Sequence, residues 1–270
     1  MPTHRPSSTA LSTPLLMAPT HPVGDLLLGT SAHSSSVAPA PRPVAVILDL
    51  FGTLVAAPSV TERRSAAAQF ADVLGVSRSA VEAALADSWQ ARHDGQLASS
   101  TEVAAHLAAR CSSTAAYVGE LEMLLTQLAD IRLRADATLL QTLDRLQRGG
   151  ARLALLSDAS PDIAEAWSRS ELAPYFDAVV FSCRTGAVKP DPLLFRTVLQ
   201  EIGVAPHQAL YCGDGGGDEL AGAERAGMYA VRVERRGGPT SLVFGETSWP
   251  GRSIPSTEDL PSLLDSWGKR

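Results

Sequence analysis

Val44-Ala45-Val46-Ile47-Leu48-Asp49-Leu50-Phe51-Gly52-Thr53-Leu54 opens with an uninterrupted apolar run and stops at a carboxylate. A run this short, without polar alternation, suits a strand covered on both faces, as strands are inside a parallel sheet. Leu153 to Leu156, Ala178 to Phe181, Ala209 to Cys212 and Tyr229 to Val233 read the same way, each separated from the next by a plausible helix. The alternation predicts an α/β fold, a doubly wound parallel sheet of Rossmann-like type. In open sheets of this kind ligands bind beyond the carboxyl ends of the strands, which is where Asp49 stands.

Helix punctuation fits this reading. In Lys189-Pro190-Asp191-Pro192, Asp191 can cap the following turn and Pro192 suits the first helical position, where its missing N–H has no partner anyway. Leu194, Phe195, Val198, Leu199 and Ile202 then mark one helical face. Ser160-Pro161 repeats the cap-then-proline arrangement, and Gly149-Gly150 stops a helix ending near Arg148. Between Asp49 and that glycine pair runs a long alanine-rich stretch with helical spacing, for example Ala67, Phe70, Ala71 and Leu74. It predicts an all-helical insertion, residues 58–134, sitting over the strand ends as a cap. Residues 43–57 and 135–270 form the core. Residues 1–42, rich in Ser, Thr, Pro and Ala, read as a disordered leader or a consequence of an upstream start codon, since their apolar runs are too short for a secretory signal.

Four segments fall at strand ends or in the loops after them: Asp49 to Leu54, Ser157-Asp158, Lys189-Pro190-Asp191, and Gly213-Asp214-Gly215-Gly216-Gly217-Asp218. In order and placement they resemble the four motifs of the haloacid dehalogenase (HAD)-like hydrolase superfamily, and the helical insertion resembles that family's C1-type cap. The resemblance implies a hydrolase in which Asp49 attacks phosphorus and forms an aspartyl-phosphate, splitting one displacement into two. It further implies Mg²⁺ held by Asp49, the Phe51 carbonyl and Asp214, with Asp218 in support, because two anions need a cation between them. Gly52 lets the chain turn behind the nucleophile, so that the N–H groups of Leu50 and Phe51 can meet phosphoryl oxygens. Ser157 would donate a further hydrogen bond and Lys189 would place a positive charge beside the transferring group. Taken singly, Ser157 and Asp158 also read as helix-capping residues, Lys189 as a surface charge, and Asp214 and Asp218 as turn residues.

One position departs from the family pattern. Phosphatases that this chain resembles carry a second Asp two residues after the nucleophile, as general acid and base; here Phe51 stands there, and a phenyl ring transfers no protons. A 2-haloacid dehalogenase needs no such acid, because halide leaves unprotonated, but it also needs no Mg²⁺. A phosphonatase would require a lysine from the cap, and the cap has none. A phosphatase for substrates with good leaving groups, or one with its acid elsewhere, Asp158 included, fits the acidic glycine loop. A catalytically weak phosphate-binding or regulatory protein is the reading from outside enzymology.

Composition bounds the partners. The formal net charge is −6 and no Lys/Arg-rich run occurs, so the electrostatic footprint of a nucleic-acid binder is missing, while a small phosphorylated metabolite remains compatible. Lys189 and Lys269 are the only lysines. Three scattered cysteines, Cys111, Cys183 and Cys212, suggest reduced thiols in a cytoplasmic protein, and no apolar run has membrane-spanning length. Nothing bears on oligomeric state. In the cap, Trp89-Gln90-Ala91-Arg92-His93-Asp94-Gly95 combines an aromatic with two potential cations. Arg92 and His93 could meet a substrate carboxylate or second phosphate, or simply end an exposed helix.

Overall fold

The computed structural model describes residues 41–111, 117–234 and 248–268. The expected leader lies outside these, apart from Pro41 and Arg42; Arg42 donates to the Gly149 carbonyl at 3.3 Å. One parallel sheet of six strands has the order β3-β2-β1-β4-β5-β6. Its strands are β1 (Ala45–Leu48), β2 (Arg152–Ser157), β3 (Ala178–Phe181), β4 (Ala209–Gly213), β5 (Tyr229–Val233) and β6 (Ser253–Ile254). The last, two residues long, is too short to show a period in the sequence. The helices are α1 (Val60–Leu74), α2 (Arg78–Asp87), α3 (Trp89–His93), α4 (Ser100–Arg110), α5 (Val118–Arg132), α6 (Ala137–Arg148), α7 (Pro161–Ala166), α8 (Ser182–Thr185), α9 (Pro192–Ile202), α10 (Glu219–Arg225) and α11 (Leu260–Asp265).

Strand parity decides which apolar residues meet which layer. Val46, Leu48, Leu153, Leu155, Leu210 and Cys212 pack with Leu139, Leu143, Leu260 and Leu264 on one face. Ala45, Ile47, Ala154, Leu156 and Tyr211 pack with Phe195, Val198 and Ala223 on the other. Both faces are therefore dry, as the apolar runs required. α9 follows its punctuation: Asp191 Oδ1 accepts from the Leu193 N–H at 2.8 Å, and the helix ends on Gly203 in the left-handed region. Ser160 does not repeat that capping. Its hydroxyl donates to Asp162 Oδ1 at 2.6 Å instead, and makes no cap bond at the start of α7.

α1 to α5 surround an apolar cluster of their own, including Phe70, Leu74, Val81, Val103, Leu107, Leu121 and Leu125. α1 starts with a reciprocal cap between Ser59 and Glu62. This helical group is joined to the sheet layers where α5 packs on α7. The Ser100 N–H donates to Glu165 Oε1 at 3.0 Å, and Arg169 pairs with Asp130 at 2.7 Å. α7 begins in the loop after β2, so the insertion is brought beside the carboxyl ends of the strands.

Strand order creates the opening there. The chain leaves β1 toward β2 and β3, then returns to β4 on the other side, so the loops after β1 and β4 diverge. Leu48 is in register with Leu155 and with Cys212, and the Asp49 N–H continues the ladder to the Cys212 carbonyl at 2.9 Å. Asp49, Asp158 and Asp214 thus leave three neighbouring strands at one edge.

Candidate active site

At the centre is a buried ion pair. Lys189 Nζ lies 2.6 Å from Asp49 Oδ1 and 2.5 Å from Glu219 Oε2, and also reaches the Tyr211 hydroxyl at 3.3 Å. The Tyr211 O–H donates to Glu219 Oε2 at 2.7 Å. Asp49, Lys189 and Glu219 are 5%, 8% and 1% exposed, so these charges interact with little solvent screening. Lys189 comes from the loop before α9, and Asp158 holds that loop: the Lys189 N–H sits 3.0 and 3.2 Å from the two Asp158 carboxylate oxygens. Asp158 is thus a brace between strand-end loops and not the cap of α7.

Asp49, Asp214 and Glu219 each offer a carboxylate oxygen, and the three atoms lie within 4.8 Å of one another. Two glycines make this approach possible. A side chain at Gly52, where φ is +86°, would put its Cβ 2.3 Å from Asp214 Oδ2, and one at Gly213 would put it 2.0 Å from Glu219 Oε1. Asp218, expected to support a cation, is exposed and stands outside this group. The Gly215-Gly216-Gly217 loop carries the chain one residue further than the spacing suggests. Asp218 itself takes a left-handed φ of +54°, which turns it to solvent and hands the inward position to Glu219 at the start of α10. A carboxylate opening the first helix after the glycine loop was the available signal.

The electrostatics follow from burial and crowding. Burial pushes the Asp49 carboxyl well above the carboxylate range; Lys189 pulls the other way, while Glu219 and Asp214 push further. For Lys189, burial alone would lower the ammonium, yet Asp49, Glu219 and its other neighbours hold it well above its ordinary value. The lysine is charged; Asp49 and Glu219 share it, and the Asp214 carboxylate stands close to both. A hard divalent cation fits this donor set, all oxygen and more negative than one ammonium can balance.

Leu50 and Phe51 divide in role. The Leu50 side chain is fully buried in the core and does not line the cavity, so only its backbone faces the expected task. Among the described residues, neither the Leu50 nor the Phe51 N–H has an acceptor. The Phe51 ring is half-buried and forms part of the wall. Ser157 is buried, with only a marginal 3.5 Å contact to the Asp158 carbonyl, which leaves its hydroxyl available to the cavity.

These groups floor a cavity of about 690 Å³ whose upper wall is made by α1, α2, α3 and α5. Arg92 lines it, with Nη2 on the Leu85 carbonyl at 2.8 Å and Nε on Ser88 Oγ at 3.2 Å. Arg63, Arg132 and Asp162, which carried no motif, line it as well. His93 is not the second cation of this wall. It stacks on Trp89 with ring centroids 4.5 Å apart and donates Nδ1–H to the Trp89 carbonyl at 2.7 Å. Burial, then the Arg92 charge, lower it to about 4, so it is neutral at pH 7.

An open parallel sheet with an acidic, lysine-anchored centre at its switch point defines the class: a doubly wound α/β protein with a polar site at the strand ends. Comparison with known proteins gives the family. The haloacid dehalogenase-like hydrolase family matches residues 44–227, and the chain belongs to it. Phosphoserine phosphatase of Thermus thermophilus is 42% identical over 90 residues, 33% of this chain and 36% of its own length. (S)-2-haloacid dehalogenase 4A of Burkholderia cepacia is 27% identical over 131 residues, 47% of this chain and 51% of its own. The chain thus spans about a third to a half of the length of these curated relatives. Among solved structures, L-2-haloacid dehalogenase from Xanthobacter autotrophicus has a TM-score of 0.57 at 20% identity, covering 83% of this chain and 98% of that one. A HAD phosphatase from Thermococcus onnurineus has the same TM-score and identity, with 82% and 97% covered. At this identity the likeness shows the fold. No helix among the described residues is long and apolar enough to cross a membrane.

Proposed function

We propose that the protein is a Mg²⁺-dependent phosphatase of small phosphorylated metabolites, with Asp49 as nucleophile and residues 58–134 as a lid over it. The observation that carries this reading is the charge count: Asp49, Asp214 and Glu219 bring carboxylate oxygens within 4.8 Å of one another, and the one ammonium beside them, Lys189, pairs with Asp49 and Glu219 only. A metal-free dehalogenase gains nothing from the two extra buried carboxylates, which raise the cost of keeping Asp49 ionised. Asp49 and Asp214, with the Phe51 carbonyl, would hold the ion. Glu219 is more committed to Lys189, Tyr211 and the Gly215 N–H, and serves chiefly to position the lysine. When bound, Mg²⁺ neutralises the repulsion between nucleophile and phosphoryl oxygens.

The chain's own residues do the rest. An Asp49 oxygen attacks phosphorus while the bond to the leaving oxygen breaks; water then attacks the aspartyl-phosphate, releasing phosphate and restoring Asp49. Ser157 O–H and the N–H groups of Leu50 and Phe51 donate to phosphoryl oxygens, and Lys189 offsets the charge that develops there. Phe51 supplies no proton to the departing group.

Phe51 also favours a second reading, 2-haloacid dehalogenation, in which the leaving halide needs none. One assay separates them: phosphate release from p-nitrophenyl phosphate and phosphorylated metabolites, and chloride release from 2-chloropropionate, each with Mg²⁺ and after chelation. Mg²⁺-dependent phosphate release that vanishes in a folded Asp49→Asn protein is the expected result. Chloride release surviving chelation would replace it with the second reading.

A further inference from the structure

Above the catalytic floor, the cavity wall concentrates positive charge in a protein whose net charge is −6. Arg63 projects from α1, Arg92 from α3 and Arg132 from the last position of α5; helices far apart in sequence place these three part-buried arginines on one cavity, with Arg64 of α1 exposed at its edge. On the same wall Glu82 is paired with Arg78 at 3.2 Å, and Asp162, which accepts from the Ser160 hydroxyl at 2.6 Å, is the one acid that interacts electrostatically with both Arg92 and Arg132.

Arg92 is anchored by the Leu85 carbonyl and Ser88 Oγ, and Arg63 Nε donates to the Pro58 carbonyl at 3.2 Å, so both are held in place before any ligand arrives. The Arg132 guanidinium makes no hydrogen bond or ion pair among those of the described residues. Burial destabilises the charged forms of Arg63 and Arg92; neighbouring arginines add to it, while for Arg92 the Asp162 carboxylate partly offsets it. Drawing like charges together inside a protein is costly unless an anion joins them.

We propose that this cavity selects phosphate esters whose leaving group carries a second oxyanion, carboxylate or phosphate, bound by Arg63, Arg92 and Arg132. The proposal rests on the phosphatase reading, which assigns the Asp49 end of the cavity to the scissile phosphate and so leaves the arginine wall for the rest of the molecule. Arginine forks suit either oxyanion, each able to accept paired N–H bonds. The volume, about 690 Å³, has room for a small metabolite carrying both groups.

The test compares three esters that differ only in the tail: 1,3-propanediol monophosphate, 3-(phosphonooxy)propanoate and 1,3-propanediol bisphosphate. The expected wild-type kcat/KM is at least about tenfold higher for an anionic tail, and Arg132→Gln should cut that preference by about tenfold to a hundredfold. Arg110→Gln, on the same helical insertion but off the cavity, should leave the preference unchanged. The two anionic esters show whether carboxylate or phosphate is the natural tail. Equal kcat/KM for neutral and anionic esters, or a preference untouched by Arg132→Gln, would overturn the proposal while the phosphatase reading stands. Should Arg132→Gln fail to fold by circular dichroism, Arg63→Gln reads the same ratio. If no ester is turned over, p-nitrophenyl phosphate, whose leaving group needs no proton, decides the phosphatase reading separately. Calorimetric titration of the neutral and carboxylate esters then decides the proposal: tail-dependent binding lost in the variant supports it, and equal binding overturns it.

Discussion

The backbone N–H of Lys189 is held between the two carboxylate oxygens of Asp158, at 3.0 and 3.2 Å. The side chain of the same lysine reaches Asp49 at 2.6 Å, so Asp158 fixes the cation through its main chain. Removing the carboxylate should let the loop drift and lower kcat by about tenfold to a hundredfold in Asp158→Ala, with a smaller loss in Asp158→Asn, which keeps one acceptor. Leaving-group dependence distinguishes a brace from an acid. The slope of log kcat against leaving-group pKa should be the same in wild type and Asp158→Asn, and a steeper slope in the variant would show that Asp158 donates the proton.

Glu219 and Asp218 should separate cleanly. Glu219→Gln weakens the hold on Lys189 and removes charge from the carboxylate group, so the Mg²⁺ concentration for half-maximal activity should rise by about tenfold to a hundredfold. Asp218→Asn, out in solvent, should leave that value within about twofold, since exposed charges are strongly screened. Mg²⁺ titration of phosphate release checks both, and the reverse order would restore Asp218 to the site.

Phe51 makes the leaving group matter. Aryl and acyl phosphates should be hydrolysed much faster than alkyl phosphates by the wild type, whereas Phe51→Asp should raise alkyl turnover selectively, by at most about a hundredfold to ten-thousandfold. The measurement is kcat/KM over a leaving-group series in both proteins. A flat series in wild type would mean that proton transfer does not limit the reaction.

His93 predicts a pH-dependent loss of stability. Its folded value of about 4 lies below the unfolded 6.5, so the unfolded chain binds a proton that the folded one refuses. The contribution is complete above about pH 6.5, declines as the pH falls toward 4, and amounts to roughly 3 kcal/mol at most. Urea unfolding between pH 7 and pH 4 should show this decline, and His93→Phe, which keeps the stack on Trp89, should flatten it. An unchanged slope in the variant would assign the loss to other groups.

Much of the architecture was legible because it is local. Five strands announce themselves through apolar runs, and α9 through Asp191 and Pro192, since burial on both faces and unsatisfied helix ends act on neighbouring residues. Strand-end position likewise exposed Asp49, Ser157, Lys189 and Asp214. What escaped depends on where side chains point after the chain turns. Glu219 displaced Asp218 because a glycine loop carries no fixed period, and Ser160 spent its hydroxyl on Asp162 instead of capping α7. Tyr211 joins the Lys189–Glu219 network from a strand position that reads only as core.

The sequence by itself determined the sheet, its carboxyl edge and the aspartate that follows β1 there, since periodicity and strand ends are written residue by residue. Tertiary structure alone decided the wall opposite. Arg63, Arg92 and Arg132 belong to separate helices, and their shared cavity exists only once α1, α3 and α5 pack around Phe70 and Leu125 and dock on α7. Charge acts through space, and folding sets the distances over which it acts.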